Sequence, residues 1–266
     1  MGEETTWFDL LPGVKNLEHF AKHYLARTQA GVQAFPSAFS LTHVFAVLMV
    51  LLFVTIGALA YRSEVSKGGE KAIVPPPKLT LRNLFEMITE AVLGIAEPVM
   101  GPENARRFLP LIGTFAFFIF FSNILALIPG FAPPTATLKT NVALALTVFV
   151  MTHVYGIAAS GLGYFKQFLG HAPIYMAPFM IPIEIVSHLA RPLSLSLRLL
   201  GNIAADHKVV SAFFFLVPFV VPVPFLILGV LVSIIQTLVF CLLAMVYISS
   251  AVAQDHGDDH AHESHH

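Results

Sequence analysis

Charge is scarce in this chain. Only 12% of its 266 residues are Asp, Glu, Lys or Arg, about half the share found in soluble domains. Together with 56% apolar residues and a mean hydropathy of +0.76, that scarcity excludes an ordinary water-soluble domain and points to a polytopic membrane protein. Cysteine is almost missing as well. Cys241 stands alone within an apolar run, so no internal disulfide can form and the thiol reads as packing. Positive charge is not in excess: the formal net charge of −1 argues against nucleic acid as a partner. No basic segment precedes an apolar core at the start, so no cleavable signal peptide is expected. MGEETT fits the myristoylation pattern only superficially, since a multi-spanning protein gains little from one acyl chain. No GxxxxGK[ST] loop is found, which removes that kind of nucleotide site.

What the chain has instead is long apolar runs. A bilayer core needs about 20 apolar residues in helical form, and residues 41–61, 108–128 and 142–163 each supply a span. From residue 176 apolar sequence continues to 253, divided by Pro218, Pro222 and Pro224 into helices expected over 178–215 and 225–253. At 1.5 Å per residue these would be roughly 55 and 43 Å long. Both exceed an upright crossing, so a strongly tilted hairpin is expected, with a bend favoured at Pro192. Leu81, Leu84, Phe85, Ile88, Val92 and Ile95 share one helical face, opposite Arg82, Glu86 and Glu90. That pattern predicts an amphipathic helix lying on the membrane, reached through the stiff Pro75–Pro77 linker. A weaker amphipathic pattern over 14–28 predicts a surface helix.

The fold expected is therefore an all-α polytopic membrane protein with about five membrane helices. Its parts are an extracytoplasmic segment over 1–40, a first transmembrane helix over 41–62, and a cytoplasmic loop with the amphipathic helix over 63–107. A transmembrane hairpin over 108–163 and the long tilted hairpin over 176–253 follow. The tail, 254–266, is rich in His and Asp and reads as disordered and solvated, not as a metal site. Orientation follows from seven of the fifteen basic residues: Arg62, Lys67, Lys71, Lys78, Arg82, Arg106 and Arg107. The loop across the membrane, 130–140, carries only Lys139. The positive-inside rule then puts 62–107 in the cytoplasm, the N-terminus outside and the C-terminal tail inside.

One stretch departs from this apolar background. From Pro182 to Lys208, Glu184, Ser187, His188, Arg191, Ser194, Arg198, Asn202 and Asp206 recur every three or four residues. On a helix they form one stripe, which must face protein or water because lipid would not tolerate it. Arg198 is the costliest member, at about 2.5 to 3.5 kcal/mol on insertion scales. On its own helix the acids Glu184 and Asp206 lie fourteen and eight residues away, roughly 21 and 12 Å along the axis, too far to staple it. Arginine stays charged even when partly desolvated, where lysine can lose its proton. A permanent positive charge at mid-membrane blocks protons from passing and attracts a carboxylate from a neighbouring subunit. Glu184 and His188 lie toward one end of the stripe, Asp206 and His207 toward the other. Chains of such titratable groups serve proton relays. His153, alone in the third span, reads as a packing residue.

LSLSLRLLGNIAADH, Leu193 to His207, resembles the signature of subunit a of bacterial F-type rotary ATP synthases. FFSNILALIPGFAPPTATLKTN (120–141) resembles that family's first hairpin loop, and SIIQTLVFCLLAMVYISSA (233–251) its last helix. The resemblance implies a stator subunit that is not itself an enzyme and has no cofactor. Its two offset aqueous half-channels load and unload protons on the c-ring carboxylate. By position, Arg198 corresponds to the essential arginine gate, Asn202 to the asparagine one turn later, and Gln236 to the glutamine that approaches the arginine from the last helix. Glu184 and Ser187 match polar positions of the cytoplasmic half-channel, and Asp206 and His207 fall on the outer one. His188 and Ser194 join them as proton-path residues of the stripe, although Ser187 and Ser194 have the alternative of hydrogen-bonding their own helix. Many relatives carry an ionisable group on the last helix where this chain has Gly229, so the outer relay is relocated to the preceding helix. Implied partners are the c-ring, peripheral-stalk subunit b, membrane lipid and protons, in the inner membrane. Sodium as the coupled ion stays open. The rival reading, a secondary proton-coupled transporter, would show internal repeats, and the Arg198 stripe has no second copy. A bare membrane anchor would have no reason to bury so many ionisable groups on one face.

Overall fold

The computed structural model describes Asn16 and residues 42–68, 80–128, 131, 133–161, 164, 177–216 and 222–252. All regular structure among the described residues is helical. Helix α1 covers Thr42–Gly68, α2 Leu81–Met100, α3 Pro102–Leu125, α4 Leu138–Ser160, α5 Ala177–Leu216 and α6 Pro222–Val252, with one 3-10 turn at Pro134–Ala136. Apart from Asn16, which is helical, the expected surface helix over 14–28, the rest of 1–40 and the tail 254–266 lie outside the described residues.

Among the described residues four helices are long and apolar enough to cross a membrane: α1, α3, α4 and α6. Helix α5 is longer still, at 40 residues, and carries the polar stripe. The chain is thus a multi-pass membrane protein. Its outward side chains agree, since Leu48, Leu52, Ile56 and Leu59 of α1 and Leu146, Val150 and Val154 of α4 are exposed, as expected where lipid is the solvent.

Local chemistry sets the helix ends. Thr80 caps α2, its Oγ1 accepting from the Asn83 amide at 3.4 Å. Gly101 closes α2 at φ 80°, a conformation that favours glycine, and its amide donates to Glu97 O at 2.9 Å. Pro102 then opens α3 at a position where its missing N–H costs nothing. This Gly–Pro corner starts α3 six residues ahead of the expected Phe108. Gly161, at φ 56°, ends α4 at Ser160. Helix α5 runs helical through both Pro182 and Pro192.

Helix α6 is the centre of the bundle, touching α2 and α3 on one side and α4 and α5 on the other. Phe108, Ile112, Phe115, Ala116 and Ile119 of α3 meet Phe240, Ala244, Met245 and Ile248 of α6 in one apolar core. Phe115 and Phe240 pack edge to face at 5.7 Å. Buried Cys241 belongs to this core, its thiol 3.9 Å from Ile112 O.

Helix α2 does more than rest on a membrane surface. It buries Phe85, Val92, Ala96 and Met100 against α1, α3 and α6. The Phe85 ring stacks on Phe117 at 4.6 Å and fills the space over Gly57, where a Cβ would stand 2.5 Å from the ring. Arg82, expected on the polar face, is instead buried, and its Nε donates to Glu86 at 2.9 Å. An i,i+4 partner makes that burial tolerable.

A buried polar node pins the α3–α4 connection. Thr135 Oγ1 donates to Asn123 Oδ1 at 3.0 Å, and Asn141 Nδ2 donates to Thr135 O at 2.7 Å. All three residues are fully buried.

Candidate functional site

Helix α5 divides the expected stripe between two environments. Leu195, Ser196, Leu199 and Ile203 are buried in the bundle, and this apolar register fixes the rotation of the helix. Ser187, Ser194, Arg198 and Asn202 consequently fall on the open side. Around them, Ile183, Val186, Leu189, Leu193 and Leu197 are exposed apolar side chains. The result is an apolar face with an arginine in it. Among the described residues no acid pairs with Arg198.

Glu184 and Arg191 occupy the edge between the two environments and are half-buried. His188 lies on the inner side, 3% exposed, with its Nε2 3.3 Å from Glu184 Oε1. The two are one turn apart on the same helix, so an ion pair forms whenever the imidazole is protonated. The guanidinium of Arg191 sits 5.3 Å over the ring of Tyr247 on α6.

Gln236 reaches α5 from α6. It is 2% exposed, and its Oε1 accepts from Asn202 Nδ2 at 2.6 Å. Asn202 stands one turn beyond Arg198, so Gln236 meets the stripe at Asn202. Gln236 Nε2 is buried and makes no hydrogen bond among the described residues. Ser233 and Thr237 flank Gln236 and return their hydroxyls to carbonyls of their own helix, Gly229 O and Ser233 O, each at 2.7 Å.

Asp206 and His207 fall on the helical stretch of α5, but their side chains lie outside the description. The position on α6 where the resemblance places an ionisable group is filled: Gly229 is buried, and a Cβ there would come 2.6 Å from Leu127 Cδ2.

The fold brings to the site one residue that the sequence reading sets aside as packing. His153 on α4 faces His188, their ring centroids 5.4 Å apart, while Tyr164 approaches the His153 ring at 5.8 Å. The signal was a histidine in an otherwise apolar span; what was missing was the neighbour that α5 supplies.

These observations define a class: an all-helical multi-pass membrane protein whose longest helix carries ionisable groups on both an open face and a buried one. The chain belongs to the ATP synthase A chain family, whose sequence profile matches residues 33–249. It is 48% identical to ATP synthase subunit a 1 of Syntrophotalea carbinolica over 219 residues, covering 81% of this chain and 88% of that one. Identity to ATP synthase subunit a 2 of the same organism is 43%, covering 81% of this chain and 86% of that one. ATP synthase subunit a of Sorangium cellulosum is 43% identical, covering 80% and 83%.

Proposed function

We propose that this chain is the proton-conducting stator subunit of a bacterial rotary ATP synthase, with Arg198 as the gate between two offset half-channels. The observation that carries this reading is Arg198 itself. It is a permanent cation on an exposed apolar face, with no acid partner among the described residues. Such a charge in lipid is stabilised only by a carboxylate from elsewhere, which a rotating ring of identical subunits would present in turn. When a ring carboxylate arrives deprotonated, the guanidinium holds it; because Arg198 does not titrate, no proton slips past.

In this reading the inner half-channel runs along Glu184, Ser187, His188 and Ser194, and the outer one along Asp206 and His207. Asn202 and Gln236 keep the arginine's surroundings polar through their mutual hydrogen bond. The subunit performs no ATP chemistry, which belongs to partner subunits. It sits in the inner membrane with its N-terminus outside and its C-terminus in the cytoplasm, against the c-ring and subunit b. Protons are the coupled ion, because the path residues are titratable.

The test is proton flux through the reconstituted membrane sector. Arg198→Lys and Arg198→Ala should assemble yet lose coupled pumping, the alanine variant also leaking protons passively. Near-normal ATP-driven pumping by Arg198→Ala would overturn the gate.

A further inference from the structure

Behind the open face of α5, a second group of titratable side chains lies inside the bundle. A cavity of about 10 Å³, the room of a single water, is lined on one part by Thr152, His153, His188, Arg191 and Tyr247 and on the rest by apolar residues of α4 and α5. His188 is buried and contacts Glu184 at 3.3 Å on one side and the His153 ring at 5.4 Å on the other. His153 Nδ1 lies 2.8 Å from Phe149 O. A carbonyl oxygen only accepts, so in neutral His153 the proton resides on Nδ1 and Nε2 carries the lone pair. His153 is therefore set as a base at Nε2. Glu184 is the member of this group that also borders the open side, its side chain 33% exposed against 4% for that of His188.

We propose that His153 is a proton-relay residue of the inner half-channel, so that the path turns inward at Glu184 and passes between α4 and α5. The inference rests on the proton-path reading above. Protonated Glu184 gives its O–H proton to His188 Nε2, leaving a carboxylate and an imidazolium. The other ring nitrogen of His188 then releases its proton to the cavity water as that water protonates His153 Nε2. His153 returns to neutrality by releasing that proton to water beyond. Each transfer breaks one O–H or N–H bond and forms another; His188 is left as its Nε2–H tautomer, which a ring turn resets before the next transfer, so the net change is one proton moved.

The groups around the pair limit it to one excess proton. Glu184 and Arg191 face it from α5, Tyr247 from α6 and Tyr164 from beyond the end of α4. Beside the fixed charge of Arg191, two adjacent imidazoliums repel each other. An excess proton on His188 and a second on His153 therefore disfavour each other, which favours hand-over of one proton above storage of two.

The experiment uses the whole complex in proteoliposomes. His153→Gln and His153→Phe, the second keeping an aromatic ring against His188, should assemble. Both should lower ATP-driven and passive proton flux by about a hundredfold and flatten its pH dependence between about pH 5 and 8. The His153→Gln, His188→Gln pair should be no slower than the slower single variant, as for two groups in series. Wild-type flux in either assembled variant, or reduced flux with an unchanged pH profile, overturns the relay. Nitrogen NMR of wild-type complex gives a readout that needs no substitution at 153. The two rings should titrate as one coupled pair, and independent titration overturns the proposal. Arg198→Ala run alongside separates the two readings: if it pumps normally the gate fails, whereas loss there with normal His153 variants overturns the relay alone.

Discussion

Two polar regions of this apolar molecule behave in opposite ways. At the α3–α4 connection, Asn123, Thr135 and Asn141 are fully buried and bond to one another. On α5, Ser187, Ser194, Arg198 and Asn202 are open, and Arg198 finds no acid among the described residues. The first region completes itself within the chain. Two of its atoms, Asn123 Nδ2 and Asn141 Oδ1, make no hydrogen bond among the described residues, but each of the three side chains is bonded at its other polar atom or through the backbone between them. A closed polar node of this kind holds a hairpin together. An open polar face leaves charge for something else to meet. Polarity in a membrane protein thus has two meanings, and satisfaction within the chain separates them.

Substitutions can break that distinction. The largest effect on transport is expected at Arg198, where alanine should abolish coupled pumping while leaving the thermal stability of the assembled complex within measurement error. A stability loss comparable to the transport loss would show that the arginine is a structural staple after all. The outer relay comes next. Asp206→Asn should slow proton uptake more than His207→Gln, because Asp206 continues the helical face of Arg198 and Asn202 while an adjacent residue points about 100° away. Wild-type flux in the double variant would mean that the outer path runs elsewhere.

Asn123→Leu should do the reverse of Arg198→Ala. It strands the Thr135 hydroxyl, costing about 1 to 3 kcal/mol of stability, with flux per assembled complex unchanged. A double-mutant cycle with Thr135→Val should show the two side chains coupled. Gln236 sharpens the comparison further, since it is buried like the node and bonded to the stripe. Cysteines at 202 and 236, in a background lacking Cys241, should crosslink with a short reagent more readily than cysteines at 198 and 236. The smallest change is expected from Gly229→Ala, which needs only the flexible end of Leu127 to move aside. Gly229→Glu, by contrast, should partly rescue Asp206→Asn once Leu127 has rotated, as flux measurements would register.

Much of this could be read from residues alone. Apolar run length gave the membrane helices, because the bilayer demands a fixed number of apolar residues whatever surrounds them. The three-to-four spacing of Glu184, Arg198 and Asn202 placed them along one helix, since helical periodicity is local. Two residues show where locality ends. Arg82 looked solvent-facing until Glu86 paired with it and α2 packed down onto α1, α3 and α6. His153 looked solitary because its neighbours, His188 and Tyr164, are distant in sequence or lie past the end of its helix.

The sequence by itself determined that this chain spans a membrane, that a long helix carries a costly arginine, and which family it resembles. The first two depend on composition or on spacing within one helix, and the resemblance on the motifs at 120–141, 193–207 and 233–251. Only the tertiary structure decided which side of α5 is open, that Gln236 meets Asn202, that Leu127 closes the space beside Gly229, and that two imidazoles share a water-sized cavity. Those are contacts between helices, and they depend on how each helix is rotated against its neighbours. That rotation is fixed by the packing of Leu195, Leu199 and Ile203 into the bundle, which no single stretch of sequence records.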